Sequence, residues 1–77
     1  MPKLPIINSR QLIKALKKLE FYKHRQRGTS HLIMVHSDGR RTTIPVHQGK
    51  DIPQGTLKSI LRDLEISIEE FINLLKK

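Results

Sequence analysis

A basic tract followed by a glycine and a histidine is the part of this sequence best suited to chemistry. Arg25 and Arg27 precede Gly28, and His31 then opens an apolar run. An imidazole titrates near neutral pH, so it can accept or release a proton under physiological conditions. The stretch 25–31 therefore predicts a turn that delivers one titratable side chain to a strongly cationic surface.

The other reactive residue types favour proton transfer as the catalytic chemistry of this chain. There is no cysteine, which excludes thiolate zinc sites and a cysteine nucleophile. The seven acidic residues are scattered, and lone serines such as Ser30 lack a nucleophile motif. Neither the i, i+4 helical spacing nor the tight clustering of metal ligands occurs among the four histidines, His24, His31, His36 and His47. If the protein is a catalyst, we expect it to need no metal and no cofactor.

Cleavage of RNA is one reaction that a histidine and neighbouring cations can carry out. The 2′-OH attacks the adjacent phosphate once a base removes its proton, and cations stabilise the charge that develops. His31 would be the base, and Lys23, Arg25 and Arg27 on the preceding strand could reach the same phosphate. A lone histidine is more often structural or merely exposed, so the residues alone leave that alternative open.

Gly55 and Thr56, at the start of a predicted helix, form a second candidate site for a phosphate. The backbone N–H groups of a first helical turn have no partner within the helix, so they can bind an anion. An ordinary helix start explains the same residues equally well.

The charge of the chain is large and unevenly distributed. Fifteen Lys and Arg residues against seven Asp and Glu residues give a net charge of +8 and a pI near 10.3. Residues 1–50 carry eleven bases and two acids, a net charge of +9, whereas residues 51–77 carry four bases and five acids, a net charge of −1. This excess predicts a polyanionic partner for the N-terminal part, although a merely solvated basic surface is the alternative.

The length and composition predict one cytoplasmic domain spanning residues 1–77. Such a chain can form only a small core. The absence of cysteine fits a reducing compartment. The first residues lack the apolar run of a signal peptide, and no segment is long enough to cross a bilayer.

The first predicted helix begins at Asn8 or Ser9, since either side chain can accept a hydrogen bond from a free first-turn N–H. Apolar residues follow at helical spacing. The opposite face is a basic stripe formed by Arg10, Lys14, Lys17 and Lys18. Most such stripes are only solvated, so this one by itself is weak evidence for a partner.

Three strands are predicted next, over residues 21–26, 31–36 and 41–46. Gly28 ends the first strand, and Asp38-Gly39 indicates a hairpin because both positions tolerate positive φ. Pro45 has no N–H to donate, so the third strand is expected either to lie at an edge of the sheet or to end its pairing there.

Two further helices complete the predicted fold. Pro53 or Thr56 lies near the first turn of one, and Ser67 with Glu70 forms a capping box for the other. Ile66 and Phe71 have the spacing of a hydrophobic staple. Helices at both ends of an antiparallel three-stranded sheet predict an α+β fold with the helices on one sheet face. The other face would remain free to bind.

Four blocks of the sequence, taken in order, resemble the HicA toxin family of HicA–HicB toxin–antitoxin systems. They are Arg-x-Arg-Gly-Thr-Ser-His at 25–31, Asp-Gly-Arg-Arg at 38–41, Ile-Pro-Val-His-x-Gly-Lys at 44–50 and Pro-x-Gly-Thr-Leu-x-Ser-Ile-Leu at 53–61. Residues 66–71 match as well, and the resemblance extends over about residues 9–75. No single block is specific, but the ordered set is.

This resemblance implies a double-stranded-RNA-binding-domain-like fold, in agreement with the predicted element order. It also implies an mRNA interferase, a small endoribonuclease that cleaves mRNA and halts growth. The catalytic histidine of the family lies in a Gly-Ser-His motif, which corresponds here to Gly28-Thr29-Ser30-His31 and is one residue longer. The implied partner is a HicB-type antitoxin protein that covers the active surface, and the complex often represses its own operon by binding operator DNA.

The sequence therefore predicts a toxin that cleaves RNA with His31 as its catalytic residue. The residues predicted to contact RNA are Lys23, Arg25, Arg27, Gly28, Ser30, Arg40, Arg41, Lys50 and Thr56. Two alternatives remain open. A non-catalytic RNA-binding module would use His31 only to contact a phosphate or a 2′-OH. A basic partner protein would bind an acidic protein and never touch nucleic acid.

Overall fold

A computed structural model of the protein describes residues 3–28, 30–46 and 49–76. Thr29 and His47 lie outside these residues, and of Arg27 only the backbone is described. The elements follow the predicted α+β order: α1 (Ser9–Lys18), β1 (Tyr22–Arg27), β2 (His31–Val35), β3 (Arg41–Pro45), α2 (Gln54–Asp63) and α3 (Ile68–Lys76). Within the described residues, no helix is both long and apolar enough to cross a membrane.

Asn8, one of the two predicted candidates, caps α1. Its side-chain oxygen accepts from the N–H of Gln11 at 2.9 Å, and the Gln11 side chain accepts from the N–H of Asn8 at 3.0 Å. Two first-turn N–H groups are thereby satisfied reciprocally. Ser9, the other candidate, is buried as the first residue of the helix.

Helices α1 and α2 end in the same way, with a glutamate in the left-handed region. Glu20 has φ +69° and Glu65 has φ +56°. In each case the next residue, Phe21 or Ile66, donates its N–H five residues back and enters the core. This arrangement is a Schellman motif, and it occurs here without the glycine that usually marks it. The Schellman motif at the end of α1 fixes the position at which β1 begins.

The starts of α2 and α3 match the predicted signals in part. Pro53 is the cap of α2, and Thr56 lies in the first turn as the third residue of that helix, as predicted. Ser67 caps α3, because its hydroxyl accepts from the N–H of Glu70 at 3.0 Å, which is one of the two bonds of the predicted capping box. The predicted staple residues Ile66 and Phe71 are both buried in the core.

The three strands form an antiparallel sheet in the order β1-β2-β3. As predicted, β3 with Pro45 is an edge strand. On β2, Leu32 and Met34 are buried whereas His31 is exposed, so the strand has one core face and one outer face. The core side chains of the sheet pack with buried residues of all three helices, which places the helices on one side. The other side of the sheet faces solvent.

Glycines shape both hairpin turns. Gly28 joins β1 to β2 with φ +60°, and Gly39 lies between β2 and β3 with φ +103°. Asp38 does not share the positive φ, so only one of the two predicted positions uses the left-handed region. The second turn is closed by the N–H of His36, which donates to the carbonyl of Arg40 at 2.8 Å.

Candidate active surface on the open face of the sheet

The open face of the sheet, called the outer face below, follows from the strand register. His31 lies opposite Arg27 and Pro45, Ile33 lies opposite Arg25 and Thr43, and Val35 lies opposite Tyr22 and Arg41. Residues directly opposite on neighbouring strands share a face, and so do alternate residues of one strand. The described side chains of the outer face are those of Tyr22, Arg25, His31, Ile33, Val35, Arg41, Thr43 and Pro45.

His31 is the first residue of the central strand and is exposed on the outer face. Its Nδ1 lies 3.3 Å from the hydroxyl oxygen of Ser30. In the tautomer that donates from Nδ1 to this oxygen, Nε2 carries a free lone pair. The ring can then accept a proton at Nε2 while Ser30 holds the other nitrogen.

The turn before His31 is fixed to the neighbouring strand. Ser30 accepts from the N–H of Val46 at 2.7 Å through its carbonyl oxygen. Gly28 supplies the positive φ that the turn needs, which a residue with a Cβ adopts only at a cost. Both features hold the backbone of His31 at one end of the outer face.

Two exposed arginines on the outer face accompany His31. The outer-face residues that lie opposite one another on the three strands form rows across the sheet. Arg25 is in the row next to that of His31, and Arg41 is in the row after that. Since a strand rises about 3.3 Å per residue, the outer face extends about 13 Å from His31 to the row of Arg41. Among the residues that the structure describes, none forms an ion pair or hydrogen bond with the side chain of Arg25 or Arg41. Arg27 is the register partner of His31, so its backbone belongs to the same end of the sheet.

Lys23 does not lie beside His31, contrary to the sequence prediction. A β-bulge at His24 inserts one residue between the pairs Lys23–Met34 and Arg25–Ile33. Strict alternation would put residues 23, 25 and 27 on one face, but the bulge moves Lys23 to the face of buried Met34. Lys23 instead lines a groove beside α1.

Arg40 and Arg41 are adjacent, and the structure gives them different roles. Arg40 donates from Nη1 to the carbonyl of Leu64 at 2.7 Å and from Nε to Asp38 at 2.8 Å. Its guanidinium also lies 5.1 Å from the centre of the Phe21 ring. These contacts join the β2–β3 turn to the end of α2, so Arg40 holds the fold together. Arg41 is exposed on the outer face.

Asp38 completes this contact between the turn and α2. Its carboxylate accepts the backbone N–H of Arg40 at 3.0 Å, and this bond is the main reason why its pKa lies below the ordinary 3.8. The Arg40 guanidinium lowers the pKa further. The Nδ1 atom of His36 lies 3.2 Å from the same carboxylate. The ring of His36 is edge-on to that of Phe21, with the two ring centres 4.9 Å apart.

The two arginines provide a matched test of these roles. We expect Arg40→Ala to lower the free energy of unfolding by about 1–3 kcal/mol, because the Leu64 carbonyl and Asp38 lose a charged donor. We expect Arg41→Ala to change it by less than about 0.5 kcal/mol but to weaken RNA binding. Urea denaturation and an RNA titration of both variants measure the two effects. Equal stability losses would contradict the distinction.

The other predicted contacts divide between two regions. Thr56 is half-buried and lines a shallow cavity of about 320 Å³ that also borders Arg41, Thr43 and Ile33, so it adjoins the outer face. Lys50 is exposed and precedes Asp51, which bridges to Asn8 at the start of α1. Lys50 therefore lies near α1 rather than on the outer face.

Tyr22 and the stripe of α1 are absent from the predicted contacts but lie on candidate surfaces. Tyr22 is 52% exposed on the outer face, whereas its neighbour Phe21 is buried. Arg10, Lys14 and Lys17 line the groove that also contains Lys23. The helical spacing of the basic residues made the stripe visible in the sequence. The sequence could not show which residues lie opposite the stripe in the folded protein. Across the described residues, no three side chains of the metal-binding types converge.

Comparisons with known proteins give a family match that covers most of the chain. A search among curated proteins gives no match to this sequence. The sequence model of one family, described as the HicA toxin of bacterial toxin–antitoxin, matches residues 9–66. This range contains α1, the whole sheet and α2, and therefore every residue of the outer face. The chain belongs to the HicA toxin family of bacterial toxin–antitoxin systems.

Proposed function

We propose that this toxin is an endoribonuclease that cleaves mRNA on the outer face, with His31 as its catalytic residue. The observation that carries the proposal is the position of an exposed imidazole at one end of a helix-free sheet face whose arginines lack a described acidic partner. Arginine side chains without internal partners are available to phosphate oxygens, which are the preferred acceptors of such groups.

The proposed reaction is attack of a 2′-OH on the adjacent phosphate. His31 accepts the 2′-OH proton at Nε2 while Ser30 holds Nδ1. The 2′-oxygen forms a bond to phosphorus, and the bond to the 5′-oxygen of the next nucleotide breaks. Because His31 is exposed, solvent can supply the proton that the leaving oxygen takes. Arg25 stabilises the negative charge on the phosphate oxygens, and Arg41 holds the strand farther along.

The proposed RNA contacts follow from where the predicted residues lie. Ser30, Arg25 and Arg41 belong to the outer face or its end, and Thr56 extends it towards α2. Arg27 and Gly28 contribute at the turn beside His31. Lys23 and Lys50 lie near α1 and not on the outer face. Arg40 stabilises the fold and is not one of the proposed RNA contacts. We propose the cytoplasm as the location, because mRNA is there.

Cleavage of RNA by the purified protein tests this function. Imidazole and guanidinium groups supply the proton transfer and the charge stabilisation, so we expect cleavage to continue in the presence of EDTA. Gel analysis of a labelled transcript, with and without EDTA, measures this. Loss of activity in EDTA with recovery on adding one divalent ion would reject the metal-free mechanism. RNA that is bound but never cut would favour a non-catalytic binding module.

Membership of the family implies an antitoxin partner. We propose a HicB-type protein that covers the outer face, whose half-buried Ile33, Val35 and Pro45 are bordered by arginines. An acidic surface of the antitoxin would pair with those arginines and exclude RNA, and the complex would bind operator DNA. Co-expression with the neighbouring gene product should restore growth and yield a complex. Failure of both would contradict this partner.

A further inference from the structure

A cationic groove lies between α1 and β1, on the helix side of the sheet. It has a volume of about 670 Å³. Two half-buried apolar side chains, Ile13 and Val46, contribute to its wall. The charged residues that line it are Arg10, Lys14, Lys17 and Lys23. The groove thus brings the stripe of α1 together with the lysine that the bulge at His24 moves to this side.

The charge in this groove is not balanced within the described part of the protein. No acidic residue is among the described residues that line it. None of its four cationic side chains forms an ion pair or hydrogen bond with a described residue. The fourth cation of the stripe, Lys18, donates instead to the Leu74 carbonyl at 2.8 Å and is not part of the groove wall. Like charges held close together repel, and an anionic ligand would remove that repulsion.

The groove and His31 meet at one end of the sheet. Val46, which lines the groove, donates its N–H to the carbonyl of Ser30, and Ser30 directly precedes His31. From there the groove follows α1, whose cations from Arg10 to Lys17 span about 10 Å of helix axis. A strand cleaved at His31 can therefore pass Val46 and continue along the groove.

We infer that this groove binds the phosphate backbone of single-stranded RNA that extends beyond the bond cleaved at His31. This inference rests on the proposed function and names the strand form of its substrate. A cavity of this volume is of the size that holds small ligands, and so accommodates part of a single strand. Recognition of duplex RNA spans about 16 base pairs and needs a far larger surface. Attack in line with the leaving oxygen also requires a nucleotide free of helical stacking.

Two triple variants of equal charge test the inference. One carries Lys14→Gln, Lys17→Gln and Lys23→Gln in the groove. The control carries Lys3→Gln, Lys58→Gln and Lys76→Gln, which are also exposed lysines and lie outside it. Both are made in the His31→Ala protein so that RNA stays intact during binding measurements. Glutamine keeps the helix propensity of lysine, and circular dichroism with thermal unfolding checks each fold.

The binding of labelled single-stranded RNA is then measured over a range of salt concentrations. The groove variant should bind more weakly. The slope of its log affinity against log salt should be less steep by about 2, because each lost phosphate contact removes about 0.7 from the slope. The control should keep the original slope. The defect should grow with RNA length, because short oligonucleotides cover only the site at His31. A duplex of the same sequence should compete poorly.

Equal losses in both triple variants would overturn the inference, because the effect would then be one of net charge alone. Equal binding of duplex and single strand would overturn it as well. A groove variant that binds RNA normally but loses the antitoxin would show that the groove is a protein interface instead. Cleavage by the protein with intact His31 is measured separately. Absence of cleavage together with groove-dependent binding would reject the proposed catalysis and leave only the binding of single-stranded RNA in the groove standing.

Discussion

His31→Ala should lower RNA cleavage by about 10²–10⁴-fold, the range expected when one general acid–base group is removed. The side chain is exposed and hydrogen-bonds with Ser30 alone among described residues, so its truncation should change the free energy of unfolding by less than about 0.5 kcal/mol. RNA binding should persist, since the surrounding cations remain. Single-turnover cleavage of a labelled transcript, a growth assay and an RNA titration measure these three effects.

His24→Ala is the matched control for His31→Ala. His24 is also an exposed histidine of the sheet, but it is the extra residue of the bulge in β1 and has no partner in the register. We expect it to keep toxicity and cleavage near the original level. His36 is a poorer control, because it contacts Phe21 and Asp38. If His31→Ala remains toxic at equal expression and folding, the catalytic assignment is wrong.

Phe21→Ala should lower the free energy of unfolding by about 3–5 kcal/mol, as the loss of a large core side chain typically does. Phe21 is 2% exposed, its ring meets that of His36 edge-on, and the Arg40 guanidinium lies over it. The ring therefore supports both the core and the contact between the β2–β3 turn and α2. A domain of 77 residues is stable by about 4–12 kcal/mol, so this variant should lose a large part of its stability.

Tyr22→Ala is the control for Phe21→Ala. The two aromatic residues are adjacent, but Tyr22 is 52% exposed on the outer face. Its truncation should therefore lower the free energy of unfolding by less than about 1 kcal/mol. Tyr22→Ala should instead weaken RNA binding if a base stacks on the ring, an interaction of about 1–3 kcal/mol. Urea denaturation compares the stabilities of the two variants. Similar midpoints would show that Phe21 does not hold the hairpin to the helices.

Local features of this protein could be predicted from the sequence because their causes are local. The cap at Asn8 depends on residues within three positions, and the left-handed turn at Gly28 depends on the missing Cβ. The edge position of Pro45 follows from its missing N–H. The element order and the family blocks were also sufficient to predict the fold class.

Only the tertiary structure decided which cations accompany His31. The bulge at His24 depends on how β1 pairs with β2, and it moves Lys23 to the α1 groove while Arg25 stays on the outer face. Arg40 and Arg41 are chemically equivalent in the sequence, yet the Leu64 carbonyl, 24 residues away, engages only Arg40. The physical reason is the same in both cases. The side on which a side chain lies, and the partner that it meets there, depend on contacts between segments distant in the chain.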